Sequence, residues 1–360
     1  MKFVEDFRDT ELVRGIVEKL HRSDLPPIRL MEFCGGHTHA ILKSGIRQLV
    51  PSSIEMLSGP GCPVCVTSTA DIDLAISLAL DNDLILTTFG DMVRVPGSRA
   101  SLQQAKADGA DVRIVYSVAD ALQIARDNPG RDVVFLGIGF ETTTPTVAAA
   151  IIVANKENIT NFKVLSLHKL CPPIMKAILD IGEIRLNGII GPGHVSAIIG
   201  SAPYEFIPHD YGIGCVVSGF EPVDILRAID MLVAQVVDNK PEVDIAYRRV
   251  VKRDGNIKAQ EIMDTVFQLA DADWRGIGVV GDSGLKIREK YGQFDALNHY
   301  RIELEPSLEV KGCICGEILR GVKMPQDCQL FKKVCTPEHP VGPCMVSSEG
   351  SCSAYYSYGV

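Results

Sequence analysis

From residue 28 to about 220 the chain alternates short β-branched runs with stretches at helical spacing. The runs at 28–33, 54–57, 84–88, 112–116, 132–136, 163–167, 188–190 and 215–217 predict strands. Several are apolar on both faces, as the strands of a covered parallel sheet are. Between them, 69–80, 117–127, 145–156 and 173–181 predict helices. This alternation implies right-handed βαβ units and a doubly wound, Rossmann-like α/β architecture. Residues 28–127 and 128–221 each read as one such domain. The tripeptide Gly-Phe-Glu follows a strand at 139–141 and again at 219–221, which duplication and coincidence explain equally well. A third domain is expected from 1–27 together with 222–360. It opens with a strong helix at 222–237, continues in helical text to Leu269, and ends in a Gly-, Pro- and Cys-rich tail from about 303. That tail has few apolar runs of its own, so a metal or disulfides would have to hold it. A helix at about 7–22 could pack on either region.

Composition narrows the function classes. Of 360 residues, 46% are apolar and 22% charged, ordinary for a globular protein. The net charge of -9 argues against nucleic acid or an anionic membrane as the main partner. The first residues are charged and lack the apolar core of a signal peptide. No apolar stretch is long and uninterrupted enough to span a bilayer. The expected location is the cytoplasm, and the default assembly is a monomer. In that compartment eleven cysteines point to metal binding or redox chemistry rather than a disulfide framework.

The polar, glycine-rich motifs fall where strands end, and in open α/β sheets those ends line the ligand crevice. Cys34-Gly35-Gly36-His37-Thr38-His39 sets a cysteine before two glycines, where backbone can approach closely, and just ahead of a helix N-terminus. Both features favour an accessible thiolate, with His37 or His39 free to accept a proton or supply a ligand. The bland alternative is a buried thiol in a tight turn. Cys62-Pro63-Val64-Cys65 has the spacing of a reversible dithiol or of half a metal site. No second Cys-x2-Cys exists to complete a zinc ribbon. Gly137–Thr144 could cradle an anion, or offer Glu141 as a polar cleft group, but it lacks the Gly-Lys-Ser/Thr of a phosphate loop. His194 and His209 are even choices between cleft and structural roles. Cys171, Cys215 and Trp274 read as core. The tail carries Cys313, Cys315, Cys328, Cys335, Cys344 and Cys352. Four thiolates bind a cubane cluster, which leaves a pair over; structural zinc is the alternative.

Taken together, Cys-Gly-Gly-His-Thr-His, Gly-Pro-Gly-Cys-Pro-Val-Cys, Gly-Phe-Glu-Thr-Thr and the tail ending Gly-Pro-Cys-Met-Val-Ser…Glu-Gly-Ser-Cys resemble the HypD family of hydrogenase maturation factors, in order and from about residue 5 to the end. The resemblance implies two similar α/β domains and a third that holds a [4Fe–4S] cluster. It implies cluster ligands at Cys-x14-Cys-x6-Cys-x16-Cys. Cys313, Cys328, Cys335 and Cys352 fit, with separations of 15, 7 and 17, leaving Cys315 and Cys344 as a candidate disulfide. It also implies a scaffold, shared with the small chaperone HypC, on which an iron carrying cyanide and carbon monoxide is assembled for the large subunit of [NiFe]-hydrogenase. In that scheme HypE delivers cyanide as a protein thiocyanate. Cys34 would be an iron ligand, Cys62 and Cys65 a redox dithiol, and His37, His39 and Glu141 orienting or proton-handling groups. Two rival classes remain: a cluster-dependent thiol–disulfide reductase, and a binding module with a structural zinc.

Overall fold

The computed structural model describes residues 7–22, 24–302 and 305–359. Eight predicted strands are present as β1 Ile28–Glu32, β2 Ile54–Ser58, β3 Leu84–Thr88, β4 Asp111–Ile114, β5 Asp132–Gly137, β6 Phe162–Ser166, β7 Gly188–Pro192 and β8 Gly214–Ser218. A short ninth, β9 Val243–Ile245, follows. They form two parallel sheets, ordered β2-β1-β7-β8-β9 and β4-β3-β5-β6.

This order corrects the expected division at 127/128. The chain lays down β1 and β2, leaves to build the whole of the other sheet, and returns with β7. Both sheets nevertheless share one pattern, second-first-third-fourth, and each therefore has a switch point beside its first strand. The two Gly-Phe-Glu copies follow β5 and β8, the third strand of one sheet and the fourth of the other. They occupy non-equivalent places, so duplication does not account for them.

Local chemistry sets the helix ends. Ser68 accepts from the Asp71 N–H at the start of Thr69–Asp81. Ser117 and Asp120 form a reciprocal capping box at the start of Val118–Asp127. The helix Pro222–Asp238 begins with proline at its first position, where a missing N–H costs nothing. It buries Ile225, Leu226, Ile229 and Leu232 against the first sheet, so it belongs to that sheet and not to a third domain. The N-terminal helix Thr10–Arg22 joins the same face, with Lys19 paired to Asp230 at 2.7 Å.

The helical reading through Leu269 also needs correction. The helix Ile257–Val266 stops, and β10 Phe267–Trp274 and β11 Gly278–Ile287 form an antiparallel hairpin. Its turn passes through Gly276 and Gly278, both at positive φ, where glycine alone is unstrained. The hairpin docks on the end of β6: Leu170 N–H donates to the Ser283 carbonyl at 2.8 Å, and Ser166 Oγ donates to that of Leu285 at 2.8 Å. Residues 305–359 add no core of their own. Ile318, Leu319, Met345 and Tyr355 merge with the apolar cluster that also holds Met31, Leu57, Leu86 and Leu136 from both sheets. The tail thus fills the space between the sheets, and the last helix, Ser351–Tyr358, lies on Gly35–Lys43. Among the described residues no helix is long and apolar enough to cross a membrane.

Candidate functional site

Cys34 leaves the end of β1 at the switch point beside β7 and caps the helix Gly35–Lys43. Its surroundings are made by backbone contact that only glycine permits. A Cβ on Gly61 would lie 2.3 Å from Cys34 N, and one on Gly35 would lie 2.5 Å from the Glu349 carbonyl and 3.2 Å from the Cys62 Cβ. The loops bearing Cys34 and Cys62 are therefore pressed together, with the tail closing over them.

The expected accessible thiolate is not what forms. Cys34 is only 8% exposed, and burial, with Glu349 and Glu32 nearby, pushes its pKa up to about 12. These effects outweigh the helix N-terminus. Glu32 itself is buried, accepts from the Cys34 N–H at 2.9 Å and takes the Thr38 hydroxyl on its other oxygen. Burial raises its pKa to about 7. An acid at the last position of a strand, directly after Leu30 and Met31 and two residues before the cysteine, was the signal available for it in the sequence.

His37 is fully buried and donates from Nε2 to the Gly219 carbonyl at 2.9 Å. Burial lowers its pKa to about 4, so it is a neutral imidazole whose Nδ1 has no partner among the described residues. Phe220 stacks on it at 4.7 Å between ring centroids and on His194 at 4.0 Å. Two histidines from different strand ends thus share one aromatic ring. His209 is exposed and pairs with Asp210. His39 turns toward the tail, its Nδ1 3.2 Å from the Ser348 carbonyl.

Cys62 caps the short helix Pro63–Val66, where its Sγ lies 3.4 Å from the Cys65 N–H. Burial holds the Cys65 thiol well above its usual range, and that thiol interacts with Cys344. Cys344 in turn lies 2.7 Å from Cys315, sulfur to sulfur. All eleven cysteines are free thiols. Arg275, buried and missed in the sequence, ties the hairpin to this region. Its Nε donates to the Thr67 carbonyl at 2.8 Å and its Nη1 to Thr69 at 2.7 Å.

Glu141 stands apart from the Cys34 loop. Its Oε1 accepts from the Cys171 N–H at 2.9 Å, its Oε2 has no partner among the described residues, and burial raises its pKa to about 7. Burial, with Glu141 and Cys34 both nearby, holds the Cys171 thiol well above its usual range. Cys171, Cys215 and Trp274 are wholly buried, as a core role requires.

In the tail, all six cysteines line one small cavity of about 10 Å³ with Ile318, Phe331 and Met345. Burial, with the neighbouring tail cysteines adding to it, holds the Cys352 thiol well above its usual range, and burial pushes Cys313 up to about 12. The Val341 N–H donates to Cys335 Sγ at 3.3 Å, a bond that favours an anionic sulfur. Gly342 is required because a Cβ there would lie 2.7 Å from Cys313 Sγ. Among the described residues no three His, Cys, Asp or Glu side chains converge on one metal ion. A tetrahedral ion with bonds of about 2.3 Å needs its sulfurs close together, whereas a cubane takes one thiolate at each of four corners and keeps them apart. The donor set, six soft thiols gathered around one cavity, suits such a cluster.

Comparison with known proteins agrees with this constellation. Residues 11–359 match the HypD model, described as the hydrogenase formation hypA family. The chain is 50% identical to hydrogenase maturation factor HypD2 of Bradyrhizobium diazoefficiens, with 100% of this chain and 97% of the relative covered. It is 50% identical to hydrogenase maturation factor HypD of Cupriavidus necator, again over 100% and 97%. To the hydrogenase expression/formation protein HupD of Azotobacter chroococcum it is 48% identical, with the same coverage. With near-complete coverage on both sides and the cysteine motifs in place, the chain belongs to the HypD family.

Proposed function

We propose that this protein acts in hydrogenase maturation as a cytoplasmic scaffold on which, with a HypC partner, an iron carrying cyanide and carbon monoxide is assembled for the large subunit of [NiFe]-hydrogenase. Its relatives are named as hydrogenase maturation factors. The observation that carries the finer reading is Cys34: a buried, protonated thiol at a sheet switch point, with the Cys62 loop packed against its backbone. Such a thiol loses its proton only to a strongly bound cation, and soft sulfur suits low-spin iron. Iron is here the cargo. Glu32, half-ionised near neutral pH, is hydrogen-bonded at the Cys34 amide and can take up the proton that leaves with iron binding. His37, neutral and fixed by the Gly219 carbonyl, orients the pocket wall without adding charge.

Cys62 and Cys65 provide the electrons for cyanide transfer from HypE. Cleavage of a protein thiocyanate breaks its sulfur–carbon bond: the dithiol becomes a disulfide, giving two electrons and two protons. HypE recovers its thiol, and hydrogen cyanide, or cyanide and a proton, is released to iron. Cys313, Cys328, Cys335 and Cys352 would hold a [4Fe–4S] cluster, which when bound supplies single electrons. Cys315 and Cys344 stand between that quartet and Cys65, which supports their role as a thiol pair linking the two. The same thiol continuity would suit a cluster-dependent thiol–disulfide reductase; turnover of free disulfides without any partner would favour that reading.

The test is Cys34→Ala. The variant should keep its fold, iron and sulfide but lose the infrared cyanide bands of the loaded complex with HypC. Normal bands would remove Cys34 as the iron ligand.

A further inference from the structure

One stretch of the tail reverses the charge of the rest of the chain. Residues 311–335 carry five lysines and arginines against two acids, in a protein of net charge -9. Three of these cations gather on one wall. Cys328, Leu330, Phe331 and Cys335 all face the cysteine-lined cavity, and the residues between them, Lys332, Lys333 and Val334, form the exposed outside of the same turn. The turn is tight: the N–H groups of Lys333, Val334 and Cys335 all donate to the Leu330 carbonyl. Lys332 takes the left-handed conformation at its apex, at φ +58°. Lys311 is brought alongside, because a Cβ on neighbouring Gly312 would contact Leu330 at 3.7 Å.

Most arginines in this protein are spent on carboxylates. Lys311, Lys332 and Lys333 have no carboxylate partner among the described residues. The nearby acids are engaged locally: Asp327 accepts the Met324 N–H, and Glu338 is held by Thr336. Between the cations sits Val334, 60% exposed. A small exposed apolar residue beside cations that have no carboxylate partner, one of them (Lys332) lying over the Phe331 ring at 5.7 Å, has the composition of a transient electron-transfer contact. Here only one layer of chain separates it from the cysteine cavity.

We propose that the turn Cys328–Cys335, with Lys311, is the docking surface for an acidic one-electron carrier protein. The proposal rests on the cluster assigned to the cavity under the proposed function. Each encounter oxidises the carrier by one electron and reduces the cluster by one; two encounters supply the pair that, with two protons, opens one disulfide. Charge complementarity selects the carrier, and the overall negative charge repels nucleic acid.

The test uses the cluster-containing protein, Lys332→Glu/Lys333→Glu, and separately Lys311→Glu, with reduced plant-type ferredoxin as the acidic carrier. Calorimetry should show binding to the unmodified protein that weakens with added salt, and at least tenfold weaker binding to the double variant. The rate of cluster reduction by ferredoxin should fall in parallel, while reduction by photoreduced deazaflavin, which needs no dock, stays unchanged. Unchanged affinity and rate in both variants, with iron and sulfide intact, would overturn the dock alone. Salt-sensitive capture of vesicles or of a second copy of the chain by this turn, without ferredoxin binding, would also overturn it. Absence of iron and sulfide from the unmodified protein would instead overturn the cluster, and the dock with it.

Discussion

The sulfurs of Cys315 and Cys344 lie 2.7 Å apart, and the Cys344 thiol interacts in turn with that of Cys65. Two cysteines left over by the spacing of the tail thus lie between the quartet cavity and the dithiol loop. If they form a link rather than ligands, Cys344→Ser should leave iron and sulfide per chain unchanged, whereas Cys328→Ser should lose both. In the Cys344→Ser protein, reducing equivalents added to the cluster should no longer appear as new thiols at Cys62 and Cys65. Alkylation before and after reduction, read by mass spectrometry, distinguishes these outcomes. Loss of iron in Cys344→Ser would make Cys344 a ligand and break the proposed division.

Gly61 offers a test of how the Cys34 pocket is built. A methyl group there would lie 2.3 Å from Cys34 N and 2.4 Å from its Cα, atoms of backbone that cannot swing aside. Gly61→Ala should therefore cost about 1–3 kcal/mol, the usual range for overpacking, and should impair iron loading beyond what the stability loss explains. Gly130, where an added Cβ meets nothing within 4 Å, is the control: Gly130→Ala should be nearly neutral in both chemical denaturation and infrared loading.

How much of this was readable in the sequence follows from which interactions are local. The eight strands were visible because their apolar runs reflect burial on both faces, and the strand-end motifs because glycine and cysteine cluster at 34–36 and 59–65. Sheet membership was not visible: nothing local distinguishes a β2 that stays beside β1 from a chain that then leaves for more than 120 residues. The hairpin was only half marked: the turn glycines and Val279-Val280 of β11 were there to be read, but the β10 run Phe-Gln-Leu-Ala-Asp-Ala-Asp-Trp lacks β-branched residues and is held by contacts to β6 and to the Thr67 loop. The Cys34 ionisation was misjudged for the same reason. The helix N-terminus is a neighbour in sequence, whereas Glu349, which opposes the thiolate, arrives from 315 residues away.

Glu141 makes stability depend on pH with a definite sign. Burial raises its pKa from 4.5 to about 7 in the folded chain, so the native state holds a proton that the unfolded state releases. Stability should then fall as pH rises from about 4.5 through 7, by at most about 3 kcal/mol. Glu141→Gln keeps an oxygen for the Cys171 N–H but cannot ionise. Its melting temperature relative to the parent should therefore rise between pH 5 and pH 8. A difference that stays constant across that interval would show that Glu141 is not protonated in the folded chain.

Phe220 is the residue on which the two histidines converge, with His37 and His194 both stacked on it at 4.7 and 4.0 Å between centroids. Aromatic contacts of this kind contribute about 0.5–1.5 kcal/mol each beyond simple burial. Phe220→Leu keeps most of the apolar volume and should cost about 1–3 kcal/mol in denaturation while freeing both rings to rotate. If the stack matters only for packing, iron loading should follow stability, and a stabilising temperature shift should restore it. If it fixes the imidazoles that wall the Cys34 pocket, the infrared cyanide bands of the loaded complex should broaden or shift even where the variant is fully folded. Phe220→Tyr, which preserves the ring, should leave the bands unchanged. Identical spectra for Leu and Tyr variants would reduce Phe220 to a packing residue.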